Sequence, residues 1–140
     1  AVYSSPLSRC RELDEVLSRG NMLTDARLME MHFGEWEQCR WDDIQEEQFT
    51  RWMDDFVSQR CAGGESYRDL FCRAVAFWED LLKADHQTVI IVTHGGVIRA
   101  LLAHWLEIPL RHTLRIGVDF GGVTKVRQTN YGPVVEYVNR

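Results

Sequence analysis

The stretch Thr88-Val89-Ile90-Ile91-Val92-Thr93-His94-Gly95-Gly96-Val97-Ile98-Arg99 decides the fold. Its first six residues form an almost unbroken β-branched apolar run, the pattern of a strand covered on both faces in a parallel sheet, so it should lie centrally. Two glycines lead into an apolar helix, Val97 to Leu106, which Pro109 closes. Strand, tight loop and helix make an α/β unit. His94 ends the strand and directly precedes the helix, the position where open α/β sheets bind ligands. Glycines there let the backbone approach an anion, and the helix end offers unpaired N–H groups and a partial positive charge, which suits phosphate. The plainer alternative is a polar strand-end residue capped by the turn that follows.

Working outward, Gly63-Gly64-Glu65-Ser66 marks a loop, and Ser66 with Asp69 forms a capping-box start for the longest helix, running through Leu82. At the other end, Ala1-Val2-Tyr3 is β-like, and Ser5-Pro6 is a helix start with proline at the first helical position. Leu7, Cys10, Leu13, Val16 and Leu17 then recur at helical spacing, giving a helix from Pro6 to Arg19 that Gly20 stops. Arg27 to Met31 reads as a short strand entering the aromatic loop Phe33-Gly34-Glu35-Trp36-Glu37, and Trp41 to Phe56 as helical. Thr113–Val118, Gly122–Thr129 and Val134–Val138 are strand candidates. The last two are joined at Asn130-Tyr131-Gly132-Pro133 into an antiparallel edge hairpin.

The bulk numbers bound the answer. At 140 residues and 45% hydrophobic the chain fits one domain with a real core. Its net charge is −5 and its 16 Lys and Arg are scattered, which argues against a nucleic-acid partner. The four cysteines lack CxxC spacing and read as reduced thiols in a cytoplasmic protein. No apolar run reaches the roughly 20 residues of a membrane span. The sequence opens without Met on a β-like stretch, as if cut into an existing domain, so a preceding first strand is expected to be missing.

Two further positions carry chemistry. Arg9 lies in the first turn of a helix that follows a strand, and arginine forks onto phosphate oxygens; in isolation it also reads as a surface arginine. Glu30, in Leu28-Met29-Glu30-Met31-His32, sits at an expected strand end among apolar neighbours that would suit a general acid; the alternative is a solvated glutamate. Glu35 and Glu37 have more polar flanks and are less favoured.

Taken in order, Ser4-Ser5-Pro6-Leu7-Ser8-Arg9, Glu30-Met31-His32-Phe33-Gly34-Glu35-Trp36-Glu37, Gly63-Gly64-Glu65-Ser66 and Thr93-His94-Gly95-Gly96-Val97-Ile98-Arg99 resemble the phosphoglycerate-mutase-like histidine phosphatases, most closely the α-ribazole phosphatases. The resemblance implies a three-layer α/β/α sandwich over residues 1–140, with a mostly parallel sheet and an antiparallel C-terminal edge. It also implies a phosphomonoesterase working through a phosphohistidine, with α-ribazole 5′-phosphate, of cobalamin assembly, as favoured substrate. Carried over residue by residue, Arg9 clamps phosphate, Glu30 gives a proton to the leaving oxygen, His94 stabilises the transferring phosphoryl and Gly95 adds an N–H. The nucleophilic histidine of such enzymes lies in an Arg-His-Gly motif on the first strand, and none occurs here. The chain by itself is therefore expected to be inactive. The alternatives are a non-catalytic phosphate-binding or interaction protein, a phosphatase or mutase for another small phosphate ester, and His94 itself as nucleophile. The partner is a small phosphate ester, with no nucleic acid and no membrane. No metal or other cofactor is implied, and His32, His86, His104 and His112 read as structural.

Overall fold

The computed structural model describes residues 1–18 and 20–140. Its strands are β1 (Val2–Ser4), β2 (Met22–Thr24), β3 (Ile90–Val92), β4 (Lys125–Thr129) and β5 (Gly132–Tyr137), and its helices α1 (Ser8–Ser18), α2 (Glu46–Asp54), α3 (Tyr67–Lys83) and α4 (Gly95–Leu106). β1, β2 and β3 form a parallel sheet in the order β2-β1-β3, and β4 pairs with β5 in an antiparallel hairpin.

Val2 stands opposite Met22 on one side and Ile90 on the other, which makes β1 the inner strand. β3, expected at the centre, is instead an edge among the described residues. The reason is physical: an unbroken apolar run reports cover above and below a strand and says nothing of what lies beside it. Even that cover is uneven, for Val92 is buried while Ile90 is 43% exposed.

The chain crosses from β1 to β2 through α1, then travels back past β1 to β3 through α3. Two right-handed crossings in opposite directions put α1 on one face of the sheet and α3 on the other. α3 packs against α4, completing the three layers of an α/β/α sandwich. Tyr3 of β1 meets Phe77 of α3 edge-on at 5.4 Å between ring centroids. Leu28, Leu70, Ala74, Phe77, Val97 and Ala100 close the core around that contact. Each large apolar side chain so buried contributes roughly 1.5–3 kcal/mol before entropy is counted.

α3 begins where the capping box predicts. Ser66 Oγ accepts the Asp69 N–H at 3.2 Å and Asp69 Oδ2 accepts the Ser66 N–H at 2.9 Å. Tyr67, Leu70, Ala74, Phe77 and Leu81 then form its buried stripe. α1 starts at Ser8, later than expected, because Ser5 Oγ accepts the N–H of Leu7 ahead of the first turn. Arg19, the expected last residue of that helix, lies outside the described residues. Of its apolar stripe Cys10 is buried, whereas Leu13, Val16 and Leu17 are exposed.

Three expected elements differ. Arg27–Met31 is no strand: Asp25 accepts the Arg27 N–H at 2.8 Å and starts a 3-10 turn over Ala26–Leu28, and the strand in this region is β2. Thr113–Val118 is preceded and partly replaced by a 3-10 helix, Leu110–Arg115, in which Thr113 Oγ1 donates to the Leu110 carbonyl at 2.8 Å. A local side-chain bond to the backbone there outweighs β-branched propensity. Trp41–Phe56 divides into a 3-10 turn, Trp41–Asp43, and α2. Among the described residues no helix is long and apolar enough to cross a membrane.

Candidate active site

Parallel register brings the carboxyl ends of β1 and β3 side by side, and the Ser5 N–H extends the pairing by donating to the Val92 carbonyl at 2.9 Å. Beyond that point β1 feeds α1 on one face and β3 feeds α4 on the other. A crevice opens where neighbouring strands part in this way. The amino ends of both helices, with their partial positive charge, border it.

His94 is the residue before the first turn of α4 and is only 7% exposed. Its Nε2 lies 2.8 Å from Ser5 Oγ and 3.4 Å from Cys10 Sγ. Ser5 Oγ also accepts the Leu7 N–H, and its own proton is free to be donated to Nε2. Burial, and then the positive charge of Arg9, push the His94 pKa below its ordinary value of 6.5, with Glu30 opposing. The ring is therefore neutral at pH 7. Burial likewise pushes the Cys10 thiol up, so it stays protonated.

The sign of the His94 shift gives a prediction. The folded chain binds this proton less readily than the unfolded chain, so stability should fall as pH drops from 6.5 to the lower folded value and be indifferent to His94 above it. A ring titration followed by NMR should place His94 below 6.5, and Arg9→Ala should move it upward. A titration at or above the ordinary value would contradict the arrangement.

Glu30 approaches from the loop after the 3-10 turn. Its Oε2 accepts the Gly96 N–H at 3.2 Å and its Oε1 accepts the Met31 N–H at 2.9 Å. A Cβ at position 96 would overlap this carboxylate, so only glycine permits the approach. Tyr67 Oη donates to the Gly96 carbonyl at 3.1 Å, and burial pushes its pKa up to about 12, which keeps it a donor. Arg9 is exposed in the first turn of α1, with its charge felt at both His94 and Cys10.

Arg9 and Glu30 thus lie near enough to His94 for their charges to act on it, and Gly95 follows His94 as the first residue of α4. Glu35 and Glu37 are exposed, and Glu37 Oε1 is occupied by the Phe33 N–H at 2.7 Å. Beside the Glu30 loop, Phe33, Trp36 and Trp41 surround Trp52 with ring centroids 6.3, 5.7 and 6.1 Å from it. Among the described residues no three His, Cys, Asp or Glu side chains converge as metal ligands. Ser5, Cys10 and Tyr67 escaped the sequence reading. Only Ser5 carried a signal, as a helix-start residue, and that signal concerned the backbone.

The chain has relatives among known proteins. Phosphoserine phosphatase 1 of Hydrogenobacter thermophilus is 29% identical over 84% of this chain and 59% of its own length. The adenosylcobalamin/alpha-ribazole phosphatase of Salmonella typhimurium is 29% identical over 86% of this chain and 63% of its own. The chain therefore spans about three fifths of these relatives. The crystal structure of the alpha-ribazole phosphatase from Shigella flexneri superposes with a TM-score of 0.88 at 26% identity, covering 99% of this chain and 72% of that one. The sequence profile of one family matches residues 1–140, and the chain belongs to that family, the histidine phosphatase superfamily (branch 1).

Proposed function

We propose that this chain supplies the phosphate clamp, the acid and the second histidine of a phosphomonoesterase that works through a phosphohistidine, with α-ribazole 5′-phosphate as favoured substrate. The observation that carries this reading is the crevice between β1 and β3, where the charges of Arg9 and Glu30 both act on His94 and the Gly96 N–H meets Glu30. In the proposed reaction a histidine nitrogen bonds to phosphorus as the ester P–O bond breaks. Glu30 gives its proton to the departing alkoxide, and water then cleaves the P–N bond to release inorganic phosphate. Arg9 and the Gly95 N–H hold the equatorial oxygens, and His94 donates to the charge that builds on them. The rings of Phe33, Trp36 and Trp41 support an ester whose alcohol ends in a flat base.

These 140 residues hold five histidines, none in an Arg-His-Gly triplet. The second reading, for these residues by themselves, is a phosphate-binding protein of the same fold without turnover. One experiment separates the two: phosphate release from α-ribazole 5′-phosphate and from phosphoserine, by the 140-residue chain and by the same chain joined behind a strand ending in Arg-His-Gly. Release only from the joined form supports the enzyme. Inorganic phosphate that binds without release from either form supports the binding protein. In both cases Arg9→Ala should weaken phosphate binding by about tenfold or more, as loss of a charge-assisted fork implies. Preference for phosphoserine would move the substrate away from α-ribazole 5′-phosphate.

A further inference from the structure

Residues 27–32 form neither strand nor helix beyond one 3-10 turn, yet they present Glu30 to the crevice. A segment without a ladder must satisfy its backbone elsewhere, and here three of its carbonyls converge on Arg73 of α3. Arg73 Nη1 donates to the carbonyls of Arg27 and Met29, both at 2.7 Å, and Nη2 to the carbonyl of Glu30 at 3.1 Å. Its remaining N–H groups, on Nε and Nη2, fork onto Glu65 Oε1 and Oε2 at 2.8 and 2.9 Å. Glu65 Oε2 in turn accepts the His32 N–H at 2.9 Å, and the Glu65 N–H donates to the His32 carbonyl at 2.8 Å.

A guanidinium has five N–H donors, and all five of Arg73 are engaged by protein. It therefore has no donor left for a phosphate, and with side-chain exposure of 19% it is not a surface charge either. The arrangement is also directional: three carbonyls flanking one glutamate aim at a single planar cation, and the cation's partner grips the next residue but one.

From this we infer that the Arg73–Glu65 pair is a positioning device for Glu30, fixing the backbone on both sides of the carboxylate so that it meets the first turn of α4. The inference rests on the reading of Glu30 as proton donor for its catalytic meaning, but not for its geometry. Lysine cannot replace Arg73, because three donors from one nitrogen cannot serve three carbonyls and a carboxylate fork. Glu65 holds its charge: burial alone would raise its pKa, but the Arg73 fork and the His32 N–H outweigh burial and lower it.

The test uses the 140-residue chain and a spectroscopic reporter. Because the Gly96 N–H donates to Glu30 Oε2, its amide shift should follow the ionisation of Glu30 in an NMR pH titration, and Glu30→Gln should abolish that response. In Arg73→Lys and Glu65→Gln, folded by circular dichroism, the Gly96 response should lose most of its amplitude while the Ser66–Asp69 cap at the start of α3 keeps its shifts. An unchanged Gly96 response in folded variants would overturn the inference. So would unfolding of both variants, since the pair would then serve stability and not placement. The titration needs no turnover, so failure of the phosphatase reading would appear separately, as absent phosphate release with the Gly96 response intact.

Discussion

His94→Ala should slow phosphate release by about 10²–10³-fold in a chain that carries an Arg-His-Gly nucleophile, the range seen when one donor to a developing oxyanion is removed. His94 is fixed by Ser5 at 2.8 Å and by burial, so its ring does not need to reorganise when charge develops beside it. Its neutral state also matters, because a permanently charged ring would hold ground-state phosphate as tightly as the transition state and gain little rate. Stability should change less by comparison. Alanine removes the bond to Ser5 and empties a buried site, together about 1–3 kcal/mol, while Ser5 still accepts the Leu7 N–H. Steady-state kinetics against urea denaturation checks both halves. Near-normal turnover would remove His94 from the chemistry, and turnover by the 140-residue chain alone that vanishes in the variant would make His94 the nucleophile.

Gly64→Ala should do the opposite, costing about 3 kcal/mol of stability, or a melting temperature lower by about 10 °C. The loops 32–35 and 61–65 meet backbone to backbone, laced by the Glu35 N–H on the Ala62 carbonyl and the Glu65 N–H on the His32 carbonyl, both 2.8 Å. A Cβ on Gly64 would overlap the His32 carbonyl and the Gly34 amide, and neither is a flexible side-chain end that could swing away. Gly34 opposite is also at φ +59, so the loop cannot retreat by exchanging that residue for another. The laced loops carry both Glu65 and the end of the Glu30 segment, so residual activity should fall with the fold. A melting temperature within a degree or two of the parent would show that the two loops separate at little cost.

The placement of the candidate site was readable where its residues sit at local backbone signals. His94 before Gly95-Gly96 and Arg9 after Ser5-Pro6 stand at helix amino ends, and the Ser66–Asp69 capping box stands at the start of α3. Arg73 had no such signal. Within an amphipathic helix an arginine reads as a solvated face, and its partners are carbonyls, which every residue has. β2 was missed for a related reason: Met22-Leu23-Thr24 is too short to show a period, and its place depends on β1 beside it. β3 shows the converse: its apolar run reports cover on its two faces, and within residues 1–140 it pairs on one side, with β1.

The inner position of β1 has a consequence for how the chain acquires its shape. Val2 pairs with Met22 and also with Ile90, so one neighbour of the inner strand follows it closely in the chain and the other is translated long afterwards. Ribosomes add roughly 5–20 residues per second, which leaves one flank of β1 without its partner for several seconds while the intervening helices emerge. The crevice cannot exist before that last pairing, because Ser5 meets His94 only when β3 has docked. Folding of the sheet is thus gated by a long loop closure, a slow step by contact order, and phosphate affinity should appear late in synthesis, as a marker of finished topology.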